Sequence, residues 1–137
     1  MLRSLQLRRP THLDVLADLI PGASRQELHA LARAGTEMVL PAGRVLMEEG
    51  EWGREAYLIL EGHVDVAICG SVVARLGTGE IVGELAIIDP RRPRMATVRA
   101  DDTVRVLVFD MRSYRSVYDL PGLAPTMTPV ARYLQAA

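Results

Sequence analysis

Between Thr36 and Asp110 the chain breaks into short β-rich runs, each closed by glycine, proline or acidic residues. The runs are Glu37–Leu40, Arg44–Met47, Ala56–Leu60, His63–Ile68, Val72–Leu76, Ala96–Arg99 and Val104–Asp110. Pro41-Ala42-Gly43, Gly50, Gly53, Gly62, Gly70, Gly77, Gly79 and Asp101-Asp102 supply the punctuation. Seven or eight strands of this length and spacing predict an antiparallel sandwich or β-roll. Within one run, His63 and Asp65 alternate with Val64, Val66 and Ile68, which predicts one wet and one dry face.

Helical signals flank this region. Thr11-His12-Leu13-Asp14 reads as a capping box, followed by Leu13, Leu16 and Ile20 at helical spacing, and Pro21-Gly22 ends that helix. Ser24-Arg25-Gln26-Glu27 is a second capping box leading into Leu28, Leu31 and Ala32, and Gly35 stands in the favoured closing position. Helix returns at Met111–Leu120, with Tyr114, Val117 and Tyr118 on one face, until Leu120-Pro121-Gly122 breaks it. Pro129 suits the first position of a short last helix. The expected fold is mainly β: an antiparallel jelly roll over 36–110, helices over 11–35 and a helical segment over 111–137. All of 11–137 is expected to be a single domain behind a tail of residues 1–10.

Composition removes several classes of function. Of 137 residues, 49% are hydrophobic and 24% charged, as in globular proteins, and the formal net charge is −1. No strong basic field exists to hold nucleic acid or an anionic membrane. A single cysteine, Cys69, excludes an internal disulfide and is expected to be a small buried hydrophobe. Met1–Pro10 lacks the apolar core of a signal peptide, and no apolar run approaches the ~20 residues needed to cross a bilayer. A cytoplasmic protein is expected. His12, His29 and His63 lack metal-ligand spacing, and no nucleophile, base and acid fall into a catalytic pattern, so no metal, cofactor or enzyme activity is expected.

The stretch from Gly79 to Val98 carries the chemistry. Gly83 permits close packing or a positive φ, and Glu84-Leu85-Ala86-Ile87-Ile88 can form one helical turn after it. The N–H groups of such a turn attract an anion, and Arg94 adds a planar charged fork suited to phosphate oxygens. A carboxylate and a phosphate repel at close range, so Glu84 suits a hydroxyl some way from the anion. A small phosphate ester bearing a sugar fits both demands. Arg91 and Arg92 are expected to be solvated loop charges, and Trp52 a packing residue.

Gly83-Glu84-Leu85-Ala86, then seven residues, then Arg94-Met95-Ala96-Thr97-Val98 resembles the phosphate-binding cassette of cyclic nucleotide-binding domains. Gly50-Glu51-Trp52-Gly53 followed by Ala56-Tyr57-Leu58-Ile59-Leu60-Glu61-Gly62 resembles the other signature of that family, and Leu40-Pro41-Ala42-Gly43 fits the start of its roll. The resemblance covers roughly residues 11–136. It implies that Glu84 accepts a hydrogen bond from the ribose 2′-hydroxyl and that Arg94 pairs with the cyclic phosphate. Backbone N–H groups around Leu85, Ala86 and Met95 would assist. Val72, Leu76, Ile81 and Val82 are the implied lining of sugar and base, with Ala96 and Gly83 completing the pocket. In this family a hydroxyl residue between Arg94 and Ala96 favours cyclic GMP; Met95 has none, which leans the expectation toward cyclic AMP, with cyclic GMP as the other candidate.

Related sensors close a C-terminal helix over the base as a lid. Here Tyr133 and Leu134 are the candidate lid residues, although Pro125 and Pro129 interrupt a continuous helix. No helix-turn-helix, kinase or channel segment is read beyond the roll. The expected function is therefore a non-catalytic sensor that regulates a separate protein partner or its own dimerisation. The alternative is the same fold with a lost or changed ligand, acting as an interaction or dimerisation domain. A cupin-like enzyme is disfavoured by the missing metal ligands.

Overall fold

The computed structural model describes residues 12–84, 89 and 91–118. Helices α1 (His12–Leu19) and α2 (Arg25–Ala34) come first, then strands β1 (Thr36–Leu40), β2 (Val45–Met47), β3 (Glu55–Glu61), β4 (Val64–Ile68), β5 (Ser71–Leu76), β6 (Ile81–Val82), β7 (Thr97–Ala100) and β8 (Val104–Asp110), and then helix α3 (Met111–Tyr118). Seven strands match the sequence-predicted runs with ends displaced by no more than one residue. The eighth, β6, is two residues long, too short for alternation to announce it.

Two four-stranded antiparallel sheets, ordered β1-β8-β3-β6 and β2-β7-β4-β5, face one another. The first strand pairs with the last, the second with the one before it, and so inward to β4 with β5. One long folded-back ribbon, rolled so that β3 also meets β8 and β4 meets β7, gives this order. It is the jelly-roll solution, which pairs strands far apart in sequence.

Strand β3 is buried on both faces. Tyr57 and Ile59 point into the roll, among Val64, Val66, Val82, Val98 and Val106. Ala56, Leu58 and Leu60 point the other way, against Val15, Leu16, Ile20 and Leu31 of the helical layer. That explains an unbroken apolar run where a half-buried strand would alternate. Strand β8 does the same, with Val104 and Val106 inward and Leu107 and Phe109 under the helices. Phe109 meets Tyr114 of α3 edge-on, centroids 6.4 Å apart at 74°.

The capping box of α2 is present as read: Ser24 Oγ accepts from the Glu27 N–H at 3.1 Å, and the Glu27 carboxylate accepts from the Ser24 N–H at 2.9 Å. Ser24→Ala is expected to lower stability by ~1 kcal/mol, read as a reduced urea midpoint at unchanged slope. Gly35 closes α2 as read, though not in a left-handed conformation, and the expectation of a buried Cys69 needs correction. Gly35 has φ −104 and ψ 162, an extended conformation open to any residue. Glycine stands there for space, since a Cβ would overlap Leu107 Cγ. Cys69 is exposed, with φ 50, in the turn between β4 and β5. Its N–H donates to the Glu49 carboxylate at 3.1 Å, so the apolar run ends one residue before it.

One end of the roll is tied by His63 and Asp102. Asp102 Oδ1 accepts from the His63 main-chain N–H at 2.7 Å, and Oδ2 lies 2.9 Å from His63 Nδ1. The side-chain bond from His63, then the main-chain bond, holds the Asp102 carboxyl below its ordinary 3.8. A carboxyl lowered on folding stabilises above its unfolded value, and that contribution is lost as pH falls through the folded value. Asp102→Asn is therefore expected to melt earlier near neutral pH and to show a smaller loss between there and about pH 3. An unchanged pH dependence in the variant would remove this assignment.

Candidate functional site

The cassette begins where β6 ends. Gly83 adopts φ +86, which sterically disfavours L side chains, and a Cβ there would lie 2.6 Å from the Glu55 carbonyl oxygen and 2.8 Å from Arg94 Nη1. This turn delivers Glu84, which is fully buried at 0% exposure. Leu85 and Ala86 lie outside the described residues, as do the lid candidates Tyr133 and Leu134.

Arg94 returns to the same place from the β7 side. Its backbone is held by the loop before β3: Gly50 N–H donates to the Arg94 carbonyl at 2.8 Å, and Arg94 N–H donates to the Glu51 carbonyl at 2.7 Å. The residue as a whole is 6% exposed. Nη1 donates to the Gly83 carbonyl at 3.1 Å and Nη2 to the Glu55 carbonyl at 2.9 Å. Gly53 lies against the fork so closely that a Cβ would overlap Nε, Cζ and Nη2. Burial lowers the Arg94 pKa, opposed by Tyr57, Glu55 and then Glu84. The site is thus a buried cation whose hydrogen-bonded partners are neutral main-chain carbonyls.

Beside the guanidinium opens a cleft of about 280 Å³, with Leu46, Met47, Trp52, Glu55 and Tyr57 among its walls. Tyr57 Oη donates to the Glu55 carboxylate at 2.9 Å and lies 3.1 Å from the Leu46 carbonyl. Its phenol is pushed up to about 12 by burial first and then by the Glu55 bond. Glu51 is held above its ordinary value by a shared hydrogen bond with Glu48 and by that neighbour's like charge. Trp52 is 69% exposed, which corrects the expectation that it packs.

The remaining candidates separate by face. Leu76, Val82 and Ala96 belong to the roll interior. Ile81 points the opposite way, into the helical layer beside Leu58, its cross-strand partner. Val72 pairs with Ala67 across a register shift and is 65% exposed, on the face away from Val66. Ile81 and Val72 thus lie on faces other than the roll interior. Met95 is 38% exposed, and its sulfur accepts from Arg92 Nη1 at 3.6 Å. Arg91 and Arg92 are exposed and both reach Asp89, each at 3.4 Å, as solvated loop charges do. Gly53 and Tyr57 were read only as parts of the second signature and Glu55 not at all, so none of the three was named as a site residue. Their signal was the signature that opens at Gly50-Glu51-Trp52-Gly53 and runs on into β3, far from Gly83 in sequence and brought to Arg94 by the fold.

Comparison with known proteins agrees with this geometry. The model of the cyclic nucleotide-binding domain family matches residues 37–119. Pycsar effector protein XpPycTIR of Xanthomonas perforans is 41% identical over 103 residues, 74% of this chain and 34% of that protein. The cAMP-dependent protein kinase regulatory subunit of Debaryomyces hansenii is 36% identical over 102 residues, covering 72% of this chain and 22% of that protein. The chain thus spans about a third or less of these relatives. The catabolite activator protein of Thermus thermophilus superposes with a TM-score of 0.71 at 25% identity, over 86% of this chain and 58% of that one. No helix among the described residues is long and apolar enough to cross a membrane. With its jelly roll, its glycine-turned cassette and its matched core, the chain belongs to the cyclic nucleotide-binding domain family and is a regulatory sensor domain of that kind.

Proposed function

We propose that this domain binds cyclic AMP in preference to cyclic GMP and that occupancy regulates a separate partner protein or a second copy of the chain. One observation carries the reading: the Arg94 guanidinium is buried and bonded to neutral carbonyls, with further donors on its fork. Glu55 and Glu84 act on this buried cation electrostatically, and a cyclic phosphate supplies an anion for the donors remaining on its fork. Arg94 pairs with the phosphate, with main-chain N–H groups around Leu85, Ala86 and Met95, while Glu84 accepts from the ribose 2′-hydroxyl. Leu76, Val82 and Ala96 face the sugar and base from the roll interior. The absence of a hydroxyl at Met95, and the name of the cAMP-dependent relative, support cyclic AMP. The role is non-catalytic.

Calorimetric titration with cyclic AMP, on protein refolded to strip carried-over nucleotide, tests it. One-to-one binding with weaker displacement by cyclic GMP is the expected result. No heat at several temperatures, with an unchanged melting temperature, would sink it in favour of an interaction domain. Glu84→Gln is expected to weaken binding less than removal of the arginine does, because the amide oxygen still accepts a hydrogen bond. The same titration ranks the two.

A further inference from the structure

Two glycines in the loop before β3 are there for different physical reasons. Gly50 has φ +86, and a Cβ on it would meet nothing within 4 Å, so its backbone demands glycine and its surroundings do not. Gly53 is the reverse. Its φ lies outside the left-handed region, yet a Cβ would overlap Nε, Cζ and Nη2 of Arg94, and these are the three nearest atoms it would meet. The volume of the missing side chain is where the guanidinium sits.

We propose that Gly53 is a positioning residue for Arg94, its missing Cβ forming the seat that aims the guanidinium at the Gly83 and Glu55 carbonyls and thereby directs the remaining donors. The functional consequence rests on the reading of Arg94 as the partner of a cyclic phosphate; the seat itself does not. Three contacts fix the fork: Gly53 behind it, the Gly83 carbonyl at 3.1 Å and the Glu55 carbonyl at 2.9 Å. The Arg94 main chain is fastened to the same loop through Gly50 and Glu51, which holds its backbone in place against that loop. A methyl group at position 53 must therefore push out the flexible end of the arginine, which is the easiest atom group to move.

The test uses the full chain with Gly53→Ala, Arg94→Ala and the double variant. Arginine Nε–H signals are followed by nuclear magnetic resonance without nucleotide, the Arg94 signal being the one that Arg94→Ala removes. Gly53→Ala is expected to move that signal to the position of a solvent-exposed arginine. It should also weaken cyclic AMP binding at least about tenfold, the scale of one charge-assisted hydrogen bond. In the Arg94→Ala background the same change should cost no further affinity or stability. Should Gly53→Ala fail to fold, a folded double variant supports the seat, because removing the arginine removes the collision. The proposal is overturned if the Arg94 signal stays in place, or if the two substitutions destabilise additively, or if the double variant fails to fold while Arg94→Ala folds. A parent chain that binds no nucleotide ends the functional reading but leaves the resonance and stability outcomes to decide the seat.

Discussion

Arg94→Ala is expected to cut cyclic AMP affinity by roughly 30- to several-thousand-fold, the equivalent of ~2–5 kcal/mol for a phosphate left without its buried cation. The magnitude follows from burial. An exposed arginine would lose only a screened attraction of under about 1 kcal/mol, whereas this one is 6% exposed and works where water competes poorly. Calorimetry on the variant reads the loss, and far-ultraviolet circular dichroism checks that the roll persists. Parental affinity in a folded Arg94→Ala protein would place the anion elsewhere.

Phe109→Ala is expected to destabilise by ~3–5 kcal/mol, lowering the melting midpoint on the order of 15 °C. Phe109 is fully buried at the junction of β8, α3 and the helical layer, and its ring edge meets Tyr114. The space it leaves is bounded by a hydrogen-bonded sheet on one side, so collapse is poor and the cavity cost is retained. Its immediate neighbours include Leu107, which already fills the volume against Gly35. A midpoint within a few degrees of the parent would mean that the helices close over the hole.

Much of this architecture was legible because short apolar runs and glycine turns are local signals. Seven strands and both early helices follow from them, as does the capping box at Ser24. The details that local signals left open share a cause: each depends on a neighbour distant in sequence. Gly35 is explained by Leu107, and Ile81 and Val82 take opposite faces because β6 pairs with β3 at Leu58 and Tyr57. Val72 faces outward because a register shift intervenes between β4 and β5. Cys69 lies beyond the end of its strand in a turn held by Glu49. The two charged residues of the candidate site, Glu84 and Arg94, were legible from spacing; that both would be buried was not, since burial is conferred by β3 and the 50–53 loop.

Strand β3 has a mechanical consequence. Like β8, it stands between two packed compartments, with Tyr57 and Ile59 on one side and Ala56, Leu58 and Leu60 on the other. Close-packed interiors do not absorb displacement by compressing. A swelling of the roll cavity must therefore bow the strand outward, and a tightening must draw it in. The helices ride on that strand's far side, so they gauge the volume of the roll directly, through a partition one peptide thick.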